Sequence, residues 1–309
     1  MDGIVARIEK SKKYASQKQR SLKFIRAKAS HPDHLTKTRF VSQELLLAIY
    51  KIKNVWVTSF RVFHCNVNLV LTKKTKQYII DILTILHLIS DHLPKKLNIY
   101  LYLTPVKKTL AQNCHYMPAN INSGYSYFTH NKEFADIVVF RREDWFKVFI
   151  HECFHAAHLD FAISYKHQAC QIVELPQSLP YETYCETWAR ILDSLINVSE
   201  IEKQKQHSLA VAKKIMSVCN MSAEDYLANK LYTEDTNMFC YYLLTAAVIN
   251  HYKEFIEWCE INNSADILCY QGDCGKFTDF ALSMYKSASF NNALKRCQKH
   301  VSGIPMSAY

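Results

Sequence analysis

The segment with the clearest capacity for chemistry spans residues 151–155 and has the pattern H-E-x-x-H. On an α-helix, residues four apart share a face, so His151 and His155 can bind one metal ion with Glu152 beside it. Zinc suits this arrangement because three protein ligands leave a fourth position for water, whose pKa the metal lowers toward neutrality. Glu152 can then accept a proton as the water attacks a carbonyl. The motif therefore predicts a zinc-dependent hydrolase with Glu152 as the catalytic base.

The third zinc ligand must come from elsewhere in the chain. A metzincin sequence would continue with glycine at position 158 and histidine at position 161, but this chain has His158 and Phe161 there. A glutamate on a following helix is the alternative, and Pro180 predicts where such a helix begins. We prefer Glu186 as the ligand because Ala189, three residues on, leaves room beside the metal.

Other donors keep the third ligand open. Glu182 lies one helical turn before Glu186, so it can orient a ligand histidine or be the ligand itself. His158 is a further alternative as a direct ligand. Glu174 and Glu200 fit less well, because one lies in a predicted loop and the other at a helix end.

Hydrolysis also needs a side chain that stabilises the oxyanion, usually a tyrosine, histidine or arginine opposite the metal. The candidates are Tyr165, His167, Tyr181 and Tyr184. Nothing in the sequence chooses among the 19 tyrosines, so this role stays unassigned.

The elements around the motif are predicted from hydrophobic periodicity. Mixed strand and helix patterns precede Glu143, and helical patterns follow it, apart from a loop around residues 175–180. This order predicts an α+β fold. The predicted strands are Val55–Thr72 (one or two strands), Leu97–Thr104, Ile121–Thr129 (an edge strand) and Phe134–Arg141, and the helices before the motif are Val41–Lys53 and Lys76–Leu93.

The motif helix is expected to follow Asp144 and to carry two stripes. One stripe is apolar and can pack on a sheet, and the other is polar and can face a cleft. The strand that ends at Arg141 leads directly into this helix. The apolar stripe comprises Phe146, Phe149, Ile150, Cys153 and Ala157, and the other comprises Val148, His151, Glu152, His155 and His158.

The block from Arg141 to Phe161, together with Asn122-Ser123-Gly124 before it and residues 182–189 after it, resembles the zincin metallopeptidases whose third ligand is a glutamate. More narrowly, it is similar to metallopeptidase-like proteins of nucleocytoplasmic large DNA viruses. The resemblance covers about residues 97–197. It implies a zincin-like mixed sheet whose edge strand binds an extended peptide or protein substrate. It also implies zinc on His151, His155 and Glu186.

Three parts are predicted along the chain. Residues 1–40 form a basic N-terminal arm, residues 41–165 a zincin-like subdomain with the motif helix, and residues 166–309 a helical subdomain that carries the third ligand. The arm holds eleven basic and three acidic side chains, about eight of the ten net positive charges. A weak electrostatic contact with nucleic acid is therefore expected there, although a solvated helix explains the same charges.

Composition excludes several other functions. Only five residues are glycine, and they form neither a dinucleotide-binding fingerprint nor a Walker loop, both of which need backbone amides close to phosphate. The eleven cysteines lack framework spacing, no signal peptide opens the chain and no apolar run is long enough to span a membrane. We therefore expect reduced thiols and a cytoplasmic location. If the chain is viral, as the resemblance implies, this location is the host cell cytoplasm or the virion.

Two alternatives to an active peptidase stay open. A virion structural or scaffold protein could retain the fold and the zinc for stability. A nucleic-acid-associated factor that uses the basic arm would show strong, salt-dependent binding dominated by residues 1–40.

Overall fold

The computed structural model of the protein describes residues 1–108, 121–162, 179–197, 200–218, 222, 239–263 and 265–297. The chain divides into two compact units. Unit one comprises residues 1–108 and 122–157, and unit two comprises residues 109–121 and 158–308. Unit one contains a mixed sheet with helices, and the described part of unit two is helical. The predicted α+β class with a helical C-terminal part is confirmed.

Unit one is built on a sheet that has six strands among the described residues: β1 (Ile25–Lys28), β2 (Asn54–Val62), β3 (Cys65–Leu71), β4 (Lys96–Thr104), β5 (Gly124–Phe128) and β6 (Phe134–Arg141). Their order is β1-β2-β3-β4-β6-β5. β3, β4 and β6 run parallel, whereas β1 with β2, β2 with β3, and β5 with β6 pair antiparallel. The predicted strands are confirmed, including β5 at an edge. β1 lies within the segment predicted as a basic arm, and no strand was predicted there because four residues carry too little periodicity to indicate one.

Four α-helices of unit one lie within the described ranges: α1 (Asp2–Ser21), α2 (Gln43–Tyr50), α3 (Lys76–Leu88) and α4 (Trp145–Ala156). α3 follows the side-chain cap of Thr75, whose hydroxyl accepts from the amide of Tyr78. Most of its residues are buried, as its nearly continuous apolar sequence predicts. α4 carries the H-E-x-x-H motif and follows β6 directly, in the predicted strand-to-helix order.

Helix α1 packs against α3 instead of standing apart. Its buried stripe, with residues three or four apart, consists of Ile4, Ile8, Ser11 and Ala15. Arg7 donates to the carbonyl of Leu88 at 3.1 Å, and Ser11 Oγ lies 2.9 Å from His87 Nδ1. The N-terminal segment predicted as an arm is thus integral to unit one, because small and hydroxyl residues complete a stripe that charged neighbours hide in the sequence.

A 3-10 helix at Asp33–Thr36 ties the N-terminal segment to the edge of the sheet. His34 Nδ1 lies 2.9 Å from the Tyr125 hydroxyl, and His34 Nε2 lies 2.7 Å from Asp136 Oδ2. Asn98 donates to the other oxygen of Asp136 at 2.8 Å. Burial, reinforced by the charge of Asp136, raises the pKa of Tyr125. This network fixes β5 through one face of the strand.

Unit two has these helices among its described residues: α5 (Pro180–Ile196), α6 (Ile201–Val218), a π-helix (Phe239–Leu244), α7 (Thr245–Asn250), α8 (Tyr252–Asn262), α9 (Cys274–Lys286) and α10 (Ala288–Arg296). α5 begins at Pro180, as predicted, and is buried along most of its length. Its Tyr184 packs in an aromatic cluster with Phe161, Phe255, Tyr270 and Phe277, with ring centroids 5.5 to 6.2 Å from that of Tyr184.

The described residues also test two expectations from composition. Seven described cysteines form no disulfide, but Cys274 is disulfide-bonded. The expectation of uniformly reduced thiols is therefore wrong at that position, because spacing along the chain does not reveal which sulfur atoms meet in space. No helix in the described ranges combines the length and the apolar character needed to cross a bilayer.

Candidate metal centre

A buried arginine fixes the junction from which α4 begins. The Arg141 guanidinium, at the end of β6, donates to the carbonyls of Asn122 at 3.0 Å, of Val106 at 3.1 Å and of Lys107. Asp144, with a left-handed φ of 54°, forms the turn into the helix, and its carboxylate lies 3.6 Å from Lys108 Nζ with both side chains buried. These contacts join the segments before β5 and after β4 to the start of α4, so hydrogen bonds and an ion pair hold the point where the motif helix begins.

Within α4 the two motif histidines point their Nε2 atoms at one another. The two atoms are 3.1 Å apart, and the rings meet edge to face with centroids 4.8 Å apart. Two nitrogens bound to one tetrahedral zinc at 2.0 to 2.1 Å would be roughly 3.3 Å apart. Both rings are buried, with His151 3% and His155 8% exposed. Neutral imidazoles held this way share either a proton or a metal ion, so the pair fits a metal site.

Glu152 lies in the same buried helix, against the edge strand of the sheet. It is 7% exposed, and a Cβ placed on Gly124 of β5 would lie 3.4 Å from its Cγ. Its carboxylate adds to the burial that raises the pKa of the neighbouring Cys153 thiol. Val148 and Glu152 of the predicted polar stripe therefore lie where α4 passes Gly124 of β5. Every residue of the helix except Trp145 is buried, and not only its apolar stripe.

Gly124 permits this close passage, and we expect its replacement to be costly. A Cβ at this position would meet Val148 Cγ1 at 2.8 Å and the Val138 carbonyl oxygen at 2.9 Å, so Gly124→Ala forces β5 and α4 apart. The expected loss of stability is about 1 to 3 kcal/mol, measured by urea unfolding. Gly3→Ala is the matched control, because its Cβ would meet nothing within 4 Å. Equal stability of the two variants would contradict the tight contact.

The hydrogen bonds of β5 show which of its backbone groups face outward. The Ser123 carbonyl accepts from Phe140 at 2.9 Å, and Thr129 donates to the Phe134 carbonyl at 2.9 Å. Odd-numbered residues of the strand therefore pair with β6, and Gly124 and Ser126 direct their amides and carbonyls away from it. β5 ends the strand order within the described ranges, so the strand beside Glu152 has the polarity to pair with an extended chain.

Helix α5 carries both candidate glutamates on one buried face. Glu186 Oε1 forms an ion pair with Arg190 at 2.9 Å, with both side chains 5% exposed. Arg190 also donates to Gln204 at 3.0 Å. Glu182 lies in the first turn and is 8% exposed. The sequence analysis did not predict this ion pair, although the i, i+4 spacing of Glu186 and Arg190 is typical of one. The Glu186 carboxylate is therefore bound to a guanidinium.

The remaining candidates can be placed individually. α4 ends at Ala156, and His158 follows with a left-handed φ of 53°, its carbonyl accepting from Gln271 at 2.7 Å. The helical stripe predicted to include His158 therefore stops before it. The fully buried Tyr184 hydroxyl donates to the Leu268 carbonyl at 3.1 Å, which indicates a packing role.

Tyr181 lies with its ring 6.3 Å from that of Phe161. Glu200 is exposed just before α6. Tyr165, His167 and Glu174 lie outside the described residues. The described geometry therefore assigns none of these side chains to the oxyanion.

Comparison of the chain with protein-family models, with curated proteins and with solved structures gives no match. The resemblance to glutamate-ligand zincins and to viral metallopeptidase-like proteins therefore stays a prediction.

Proposed function

We propose that this protein is a zinc-dependent metallopeptidase. The observation that carries the proposal is the pair of buried Nε2 atoms 3.1 Å apart on α4, with Glu152 between them in sequence and the edge strand β5 alongside. Histidines that only pack in a core do not need to direct their Nε2 atoms at one another. Burying a glutamate beside them costs free energy, which favours a functional role for Glu152.

The donors proposed for zinc are His151, His155 and a carboxylate of α5. Each is a buried side chain of a kind that zinc takes. We now favour Glu182 over Glu186, because the Glu186 carboxylate is already held by Arg190. The ion pair with Arg190 then stabilises the helix on which Glu182 is carried.

The chain's own groups supply the remaining chemistry. Zinc, when bound, contributes Lewis acidity that polarises a carbonyl and lowers the pKa of water. Glu152 accepts the proton of the attacking water and delivers it to the leaving amine. Gly124 and Ser126 offer backbone donors and acceptors that align an extended peptide beside Glu152. Peptides and proteins in extended conformation are the proposed substrates.

The proposal predicts that the full chain cleaves members of a mixed peptide library and that a zinc chelator stops the cleavage. Mass spectrometry of the products gives the scissile bonds, and restoring zinc should restore the rate. Zinc binding at one equivalent with no cleavage of any peptide would instead favour a structural role for the metal, as expected of a scaffold protein.

A further inference from the structure

The opposite edge of the unit one sheet carries a second surface, which the proposed peptidase chemistry does not use. Arg26 of β1 lies directly across from Trp56 of β2, so both side chains are on the same face. Lys74 Nζ lies 4.5 Å from the centroid of the Trp56 ring and 5.4 Å from that of Phe24. We call Phe24, Arg26, Lys28, Trp56 and Lys74 the edge patch.

The charges of the edge patch are accessible. Arg26, Lys28 and Lys74 are exposed, and the two rings are partly exposed. Among the described residues, none of these three cations forms an ion pair. Three uncompensated cations beside two aromatic rings combine attraction for phosphate with flat surfaces for stacking.

Helix α1 adds to this potential. Its buried stripe faces α3, and three of its basic residues, Lys10, Lys13 and Arg20, are exposed. The buried stripe of the helix is occupied by packing on α3, so that stripe is not available to insert into a lipid surface. The helix leads through Lys23 directly into β1, and the basic residues therefore continue along the chain into the edge patch.

From these observations we propose that the edge patch binds single-stranded nucleic acid. Bases stack on Trp56 and Phe24 in place of the Lys74 ammonium, which then pairs with phosphate together with Arg26 and Lys28. A double helix hides the faces of its bases and can use only the cations, so single strands bind more tightly. This surface is separate from the motif helix and needs no metal.

The test uses the full chain and a labelled oligothymidine of about 20 nucleotides, a length that spans a typical single-strand site. Anisotropy gives the affinity over a range of salt concentrations. Arg26→Gln/Lys28→Gln should weaken binding at least tenfold and reduce the salt slope by about 1.4, as expected for two lost phosphate contacts. The control Lys253→Gln/Lys276→Gln removes two exposed charges of unit two and should change neither quantity.

Trp56 is tested separately. Stacking should quench its fluorescence, and Trp56→Phe should lose that quenching with little change in affinity, because a ring is retained. Trp56→Leu should lose roughly tenfold in affinity, and thermal unfolding shows whether it is folded. If Trp56→Leu does not fold, the fluorescence quenching of the wild-type chain and the affinity of the Arg26→Gln/Lys28→Gln variant still test the proposal.

Three results would each overturn the proposal. The first is unchanged binding and salt slope for the Arg26/Lys28 variant. The second is equal affinity for duplex and single strand without quenching. The third is binding to vesicles of anionic lipid but not to the oligonucleotide.

Discussion

Glu152→Gln is expected to keep zinc and to lose between about 10²- and 10⁴-fold in kcat for peptide hydrolysis. The amide has nearly the shape of the carboxylate, so the contact of this side chain with β5 at Gly124 should persist. The amide cannot accept a proton from water at neutral pH, and the step that needs a base is therefore lost. Zinc content by elemental analysis and turnover of a fluorogenic peptide found in the library measure the two effects.

Glu44→Gln is the control for this substitution. Glu44 is exposed in the first turn of α2, and its loss of charge should leave both zinc content and kcat unchanged. Wild-type turnover by Glu152→Gln would rule out Glu152 as the base. Loss of zinc from this variant would mean that Glu152 helps to hold the metal.

The second large effect is expected on zinc itself. His151→Ala and His155→Ala should each abolish stoichiometric zinc binding, because each removes one of two nitrogens that converge at 3.1 Å. His130→Ala, at an exposed position of the same unit, should retain one equivalent. Zinc content and a competition titration with a chelator give the binding constants. Full zinc binding by both alanine variants would contradict the proposed metal centre.

The same titration separates the two glutamates of α5. If Glu182 is the third ligand, Glu182→Gln should lower zinc affinity by at least about a hundredfold. Loss of a residue that only hydrogen-bonds to a ligand typically has a smaller effect on metal affinity. Glu186→Gln should instead leave the buried Arg190 unpaired and cost about 3 to 5 kcal/mol of stability, seen as a lower Tm with zinc affinity preserved. The reverse pattern would restore Glu186 as the ligand.

Much of the motif's setting could be predicted from local patterns. Alternation predicted β4 and β5, and a short apolar run predicted β6. The i, i+4 spacing of His151 and His155 predicted a shared direction, because helix and strand periods depend on neighbours in sequence. The position of β5 at an edge followed from its polar and aromatic composition. The same local patterns could not show that α1 packs on α3, since its stripe includes Ser11 and Ala15 among many charges.

Pairing between distant segments is what only the folded chain reveals. Gly124 has no periodic signal, and its importance comes from Val148 and Val138, which are its neighbours only after β5 joins β6 and α4 covers it. The edge patch arises in the same way, because Arg26 and Trp56 meet through strand register. Register depends on the whole set of contacts across the sheet.

By itself, the sequence determined the residue types of the motif, the α+β order of elements and the lack of glycine-rich phosphate-binding patterns. These properties depend on residue type and on spacing within one element. Only the tertiary structure decided that the Nε2 atoms of the two histidines converge and that Arg190 pairs with the Glu186 carboxylate. The same holds for the basic residues among the first forty that lie beside partly exposed rings. The physical reason is that the direction of a side chain depends on the helix or strand that carries it. The residue it contacts depends on how helices and strands that are far apart in the chain pack together.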